Sequence, residues 1–230
     1  MNYNEMIDSL KKLNHPVFTT GDISNLTGKS REYTKVYLFN LIKRGLIGKI
    51  ERGKYYLLGT SPYVIASRIV KDSYITLISA ARIYNITTQI PNIIYVFSPI
   101  YHRPIKIIDN YKVKFIKVDK QIIYGYHKYN DIYVAEPEKL FIDDIYYHKS
   151  LFYDEELNEA INKNILDTEK IAEYIGRLKS EKIEKREYSI LKDKLNLSEY
   201  KELLDIKELF DMIDKKSKLN KSKFRHKLNA

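Results

Sequence analysis

The sequence predicts an α+β fold, because helical and extended patterns occupy separate blocks of the 230-residue chain. Residues 1–60 contain three segments with helical spacing, followed by a hairpin signal. Between about residues 92 and 135, runs rich in Tyr, Ile, Val and Phe predict strands. From residue 154 onward the apolar residues return to helical spacing. A chain of this length fits two small domains or one large one.

The composition indicates a basic protein with a packed core and no thiol chemistry. Apolar residues make up 44% of the chain, and the absence of cysteine excludes disulfides, thiolate zinc sites and cysteine nucleophiles. The net charge is +10, half of it in residues 1–60, which favours a polyanionic partner. Neither a signal-peptide stretch nor a membrane-length apolar window is present, so we expect a cytoplasmic protein with no membrane partner.

Three helices are predicted in the first 45 residues. The first ends before Pro16, because the residue preceding a proline avoids the helical conformation. Thr20 is the predicted N-cap of a second helix over 21–26, and Ser30 is that of a third helix running to Arg44. The apolar stripes predicted for the first and third helices are Met6, Ile7, Leu10 and Leu13, and Thr34, Leu38, Leu41 and Ile42.

A hairpin completes this part of the chain. Strands are predicted over 46–51 and 54–58, joined by the tight-turn signal Arg52-Gly53. The order helix, short strand, helix, turn, helix, hairpin is typical of a winged helix-turn-helix domain, which we predict over residues 1–60.

In such a domain the third helix enters the major groove of duplex DNA, and the hairpin reaches the neighbouring backbone or minor groove. Lysine and arginine neutralise phosphates there, whereas Asn40 and Arg31 are suited to reading base edges. The alternative is a winged helix that docks another protein. The predicted DNA-binding residues are Ser30, Arg31, Tyr33, Lys35, Asn40, Lys43, Arg52 and Lys54.

The middle of the chain predicts a mixed α+β region. Ser61-Pro62 begins a helix that extends to residue 70, and a further helix is predicted over 74–84. Pro137 begins another, with the acidic Glu136 and Glu138 beside its positive end. The predicted strands are 93–97, 106–108, 111–118, 122–126 and 132–135.

Several blocks of the first 150 residues together resemble the AbiEi-type antitoxins, predicted transcriptional regulators of type IV toxin–antitoxin and phage-defence operons. The blocks are Arg44-Gly45-Leu46-Ile47, Arg52-Gly53-Lys54-Tyr55-Tyr56-Leu57, the runs 61–69 and 72–80, and Val134-Ala135-Glu136-Pro137-Glu138-Lys139-Leu140-Phe141-Ile142-Asp143. The chain departs from the family pattern at Asn85, where Gly is favoured, and at the paired Asp143 and Asp144.

This resemblance implies an N-terminal domain that represses the protein's own operon and a C-terminal domain that counters a nucleotidyltransferase-like toxin without enzymatic activity. The implied division is a winged helix over 1–60, an antitoxin-like α+β domain over 61–150 and a helical extension over 151–214. A basic tail follows over 215–230, with seven bases and no acid between Lys215 and Lys227. Helices in the extension are predicted over 154–163, 168–182, 186–195 and 198–214.

The sequence contains no local signature of catalysis. No two of its five histidines are spaced as metal ligands on a helix, and no glycine-rich nucleotide loop occurs. Asp143 and Asp144 point about 100° apart on a helix, so they do not converge on one metal ion. We therefore predict no catalytic residue, metal or cofactor. A ligand-responsive regulator without a toxin partner remains the main alternative, and a defence nuclease is a third.

Overall fold

A computed structural model describes residues 2–147 and 154–177, which form an α+β structure as predicted. These residues hold eight α-helices and two β-sheets. In these ranges no helix is both long enough and apolar enough to cross a membrane. The helices predicted over 186–195 and 198–214 and the basic tail over 215–230 lie outside the described residues.

Three helices and a three-stranded antiparallel sheet form the beginning of the chain. The elements are α1 (Tyr3–Lys12), β1 (Val17–Thr19), α2 (Thr20–Thr27), α3 (Arg31–Lys43), β2 (Ile47–Glu51) and β3 (Lys54–Leu57). The strand order is β1-β3-β2. A hydrophobic core joins these elements, and its buried members are Met6, Leu10, Phe18, Ile23, Tyr37, Leu38, Leu41, Ile47 and Leu57.

Local capping sets the helix boundaries, with one difference from the prediction. Thr19, not Thr20, is the N-cap of α2, because its hydroxyl accepts from the Asp22 backbone N–H while the Asp22 carboxylate accepts from the Thr19 N–H. Gly28 ends α2 with a φ of 64°, a left-handed conformation that glycine adopts without a Cβ penalty. The start of α3 is therefore held by the turn that the sequence predicted.

The buried face of α3 is also rotated slightly from the predicted one. Thr34, Leu38 and Leu41 are buried as expected, but Ile42 is 36% exposed and Tyr37 is buried. Tyr37 packs its ring 5.0 Å from that of Tyr3 on α1, so the buried stripe extends to Tyr37 on one side and stops short of Ile42 on the other.

The second sheet is mixed and has the strand order β6-β7-β5-β4-β9-β8. The remaining elements are α4 (Pro62–Arg68), β4 (Tyr74–Ile75), α5 (Leu77–Ile83), β5 (Ile93–Ser98), β6 (Ile105–Lys106), β7 (Lys112–Lys117), β8 (Tyr126–Tyr129), β9 (Ile132–Ala135), α6 (Pro137–Tyr147), α7 (Asp154–Asn162) and α8 (Thr168–Gly176).

Of the strand predicted over 106–108 only Lys106 lies in a strand, β6, and a 3₁₀ turn begins at Ile108. Two further predicted elements of this region are wrong in part. The helix predicted over 74–84 begins instead with β4, because Tyr74 and Ile75 are fully buried between β5 and β9, where they complete the ladder. The strand predicted over 122–126 is replaced by a 3₁₀ turn at Lys120–Ile122, and β8 begins only at Tyr126. Long-range pairing decides both cases, which local propensity does not encode.

The chain divides into two compact units. Among the described residues, unit 1 comprises 2–75, 91–123 and 127–134, and unit 2 comprises 76–90, 124–126, 135–147 and 154–177. The domain boundaries predicted at residues 60 and 150 stay predictions.

Candidate nucleic-acid interface

The first turns of α3 present two exposed cations. The Ser30 hydroxyl accepts from the backbone N–H of Tyr33 at 3.3 Å, which fixes where the helix begins. Arg31 is then the first helical residue and Lys35 lies one turn later on the same face. Both side chains therefore project beside the positive end of the helix dipole, an arrangement that attracts anions.

A β-bulge sorts the charges of the β2–β3 hairpin onto opposite faces. Lys49 pairs with Tyr55 and Glu51 pairs with Lys54, leaving Ile50 as the extra residue between them. Because adjacent residues on β3 point to opposite faces, Lys49 shares a face with Tyr55, whereas Glu51 shares the other face with Lys54. The bulge thus separates the acidic side chain from Lys49.

These elements enclose a cleft of about 500 Å³, which we call the basic cleft. Its lining consists of Thr20, Arg31, Lys35, Lys49, Arg52, Gly53 and Tyr55. Of these described residues four are cations and none is acidic. A concave surface with a single sign of charge concentrates counter-ions, so the cleft is suited to a polyanion.

The hairpin tip is held in place over this cleft. The backbone N–H of Thr20 donates to the Gly53 carbonyl at 3.1 Å, which ties the tip to the start of α2. Gly53 has a φ of 81°, so the turn requires a residue without a Cβ. Arg52 is thereby fixed at the rim of the cleft rather than at the end of a free loop.

The opposite face of the hairpin is anchored inside unit 1. Lys54 donates its ammonium to the carbonyl of Ile69 at 2.7 Å and pairs with Glu51 at 2.9 Å. His102 lies 3.3 Å from Glu51 through Nε2, and its Nδ1 lies 2.7 Å from the Arg103 carbonyl. Both ring nitrogens of His102 therefore lie within hydrogen-bond distance of an oxygen. We assign Lys54 to anchoring the hairpin.

Glu51→Gln is expected to lower the free energy of unfolding by roughly 1 kcal/mol at neutral pH, because it removes the charge from two hydrogen bonds. Burial alone would raise the pKa of the Glu51 carboxyl, but Lys54 and His102 together hold that pKa below its ordinary value. Because the pKa of Glu51 is lower in the folded state, its ionised carboxylate stabilises the fold at pH values above the unfolded-state pKa of about 4.3. This stabilisation is lost as the pH falls through the folded-state pKa. Urea unfolding from neutral pH to pH of about 3 measures the difference.

The control for this substitution is Glu32→Gln, which changes an exposed carboxylate of the same unit. If the difference in unfolding free energy between wild type and Glu51→Gln becomes smaller as the pH falls, the result supports the anchoring role of Glu51. Equal unfolding midpoints for wild type and Glu51→Gln at neutral pH would contradict it.

The structure brings together only part of the predicted site. Ser30, Arg31, Lys35 and Arg52 lie at or beside the basic cleft. Tyr33 stacks on Tyr37 at 6.1 Å, and Asn40 is half-buried on the flank of α3. Lys43 is exposed in the last turn of α3. The sequence did not predict three residues that line the cleft, Thr20, Lys49 and Tyr55. For Lys49, its place as a basic residue in a predicted strand of the hairpin was the signal that could have identified it.

Unit 2 uses its buried charges internally. Lys139 and Asp143 form an ion pair one helical turn apart on α6, both fully buried. The Thr76 hydroxyl donates to the other Asp143 oxygen at 2.6 Å. Among the described residues no group of three or more His, Asp or Glu side chains is arranged to hold a metal ion.

Comparison with known protein families and with curated proteins finds no match to this chain. A proposed function therefore depends on the basic cleft and on the exposed surface of α3 beside it.

Proposed function

We propose that residues 1–60 form a winged helix-turn-helix domain that binds duplex DNA and that the protein is a non-enzymatic transcriptional repressor. The basic cleft supports this most directly, because two cations from the start of α3 and two from the hairpin line one concave surface. The element order from α1 to β3 and the shared hydrophobic core are those expected of such a domain.

The exposed part of α3 suits the dimensions of the DNA major groove. The groove is about 12 Å wide and admits an α-helix, whose N-terminal residues meet base edges. In this arrangement Lys35, Lys43 and Lys49 contact phosphates, whereas Arg31 is placed to donate two hydrogen bonds to guanine. Arg52, at the hairpin tip, reaches the adjacent backbone or minor groove.

The resemblance to AbiEi-type antitoxins extends this proposal. On that basis the operator is the protein's own, and the partner of the remaining chain is a nucleotidyltransferase-like toxin. Footprinting on the DNA upstream of the gene tests the first part, and a pull-down of the neighbouring gene product tests the second. Protection of an inverted repeat supports autorepression, whereas no protection at low salt contradicts DNA binding there.

Lys35→Ala and Lys43→Ala are each expected to weaken binding to all duplex sequences alike, because phosphate contacts carry no sequence information. The slope of log K against log salt should become shallower by about one for each phosphate interaction that a variant removes. Fluorescence anisotropy over a salt series measures both effects. Lys120→Ala, which removes an exposed lysine outside the cleft, is the matched control. Unchanged affinity and slope in both variants would remove these two residues from the interface.

A further inference from the structure

The outward face of α3 carries two large apolar side chains that the fold leaves in water. Val36 is 62% exposed and Phe39 is 64% exposed, although both lie in the middle of a helix whose opposite face is buried. They are three residues apart, so their side chains are neighbours on the helix surface. Together they form an exposed apolar pair.

Cations flank Phe39 along the helix, whereas Val36 follows the exposed Glu32 by one turn. Lys35 precedes Phe39 by one turn and Lys43 follows it by one turn, so Phe39 lies between two exposed ammonium groups. Arg31 continues the same side toward the basic cleft. An apolar partner protein would have to desolvate these charges, whereas a polyanion with apolar groups on its inner surface would pair with them.

Duplex DNA has one apolar group of this kind. The C5-methyl of thymine is the apolar contact that base edges present in the major groove, and apolar side chains are its usual partners. Three residues of helix advance about 4.5 Å, and successive base pairs advance about 3.4 Å. The two advances differ by only about 1 Å, so Val36 and Phe39 are spaced closely enough to contact methyl groups of neighbouring base pairs.

We propose that Val36 and Phe39 are specificity-determining residues that contact thymine methyl groups, so that the protein selects A·T pairs at the centre of its site. This rests on the proposed function, because it requires α3 to occupy the major groove. Asn40, next to Phe39, is suited to the adenine of such a pair, since its amide matches adenine N6 and N7. Glu32 lies on the exposed side of the first turn and disfavours phosphate there.

The test exploits deoxyuridine, which pairs as thymidine does but lacks the methyl group. Binding of the full chain to an alternating dA–dT duplex is compared with binding to the same duplex made with deoxyuridine. Burial of each methyl contributes about a fourfold gain in affinity, so two contacts predict a loss of about tenfold or more on deoxyuridine substitution. Phe39→Ser should weaken binding to the dA–dT duplex and reduce this ratio.

Ile100→Ser is the matched control, because Ile100 is a 55% exposed apolar residue outside α3 and should leave the ratio unchanged. Equal affinity of wild type for the two duplexes overturns the proposal, as does a ratio that Phe39→Ser leaves intact. Loss of self-association in Phe39→Ser with an unchanged ratio also overturns it, in favour of a protein contact. An alternating dG–dC duplex separates this proposal from the proposed function on which it rests. If the protein binds none of the three duplexes, the proposed DNA-binding function itself is contradicted.

Discussion

Asp143→Ala is expected to lower the free energy of unfolding by about 3–5 kcal/mol, because it removes a carboxylate that is paired with a buried cation. Lys139 is fully buried on α6, and it forms an ion pair with the equally buried Asp143 carboxylate. Burial lowers the pKa of Lys139, and Asp143 opposes that shift. Without Asp143 the charged form of this buried lysine loses the electrostatic stabilisation that the carboxylate supplies, which is costly in a site shielded from water.

Other contacts of Lys139 and Asp143 limit how far the surrounding side chains can rearrange after the substitution. The Thr76 hydroxyl donates to Asp143 at 2.6 Å, and the Lys139 ammonium lies 4.6 Å from the centre of the Tyr124 ring. Removing the carboxylate therefore also leaves a buried hydroxyl without its acceptor, which adds to the destabilisation.

Glu159→Ala supplies the matched control, because Glu159 forms an ion pair with Lys163 at the same spacing on the partly exposed α7. Its removal should change the free energy of unfolding by no more than about 0.5 kcal/mol. Replacing both buried partners, as Lys139→Met with Asp143→Leu, should recover much of the stability that Asp143→Ala removes. Chemical denaturation measures the free energy of unfolding of Asp143→Ala, Glu159→Ala and the double variant. A destabilisation by Asp143→Ala no larger than that by Glu159→Ala would contradict the buried-pair account.

Arg31→Glu combined with Arg52→Glu is expected to lower duplex affinity roughly a thousandfold at moderate salt. Each reversal places a carboxylate where a cation faced the DNA, and exchanging attraction for repulsion by the nearby phosphate charge changes the binding free energy by about 2 kcal/mol for charges at 4 Å in water. Two reversals give about 4 kcal/mol, and each 1.4 kcal/mol is a factor of ten. Both side chains line the basic cleft from different elements, so the double variant tests whether α3 and the hairpin act together.

The control variant is Arg103→Glu with Lys120→Glu, which makes the same change in net charge at exposed positions of unit 1 outside the cleft. Its affinity should fall far less, because these two residues do not line the basic cleft and salt screens exposed charges that make no direct contact with the duplex. Thermal melts of both variants check that the fold is kept. Equal decreases in the two variants would assign the effect to total charge and not to the cleft.

The sequence predicted α3 well because its signals are local. Ser30 as cap, the glycine turn before it and the alternation of buried and exposed positions are each encoded within a few residues. The edges of its buried stripe were less well predicted, because helical spacing alone does not say which apolar residue at an edge is covered by the rest of the fold. The exchange of Ile42 for Tyr37 has the same origin.

The hairpin shows where local reasoning ends. Arg52-Gly53 marked the turn, but the bulge at Ile50 depends on the register between two strands. That register decides that Lys49 enters the cleft and that Glu51 and Lys54 do not. The contact between Glu51 and His102 joins residues 51 positions apart, and no short pattern records it.

Unit 2 was harder to predict for a related reason. Lys139 and Asp143 have the spacing of an ordinary surface ion pair, and only tertiary packing buries them. Leu77 begins α5 with a φ of 56°, a conformation that a buried leucine adopts only when its surroundings impose it. Helical periodicity continued through this position and therefore hid the short strand β4.

The salt dependence of duplex binding by the intact chain tests the central claim most directly. Each phosphate neutralised contributes about −0.9 to the slope of log K against log salt, so phosphate contacts by Lys35, Lys43, Lys49 and Arg52 predict a slope of about −3.5 or steeper. The measurement is a titration of a random-sequence duplex between about 50 and 200 mM salt. A slope of that size supports a DNA-binding cleft. No binding at the lowest salt, or a slope near zero, would contradict it.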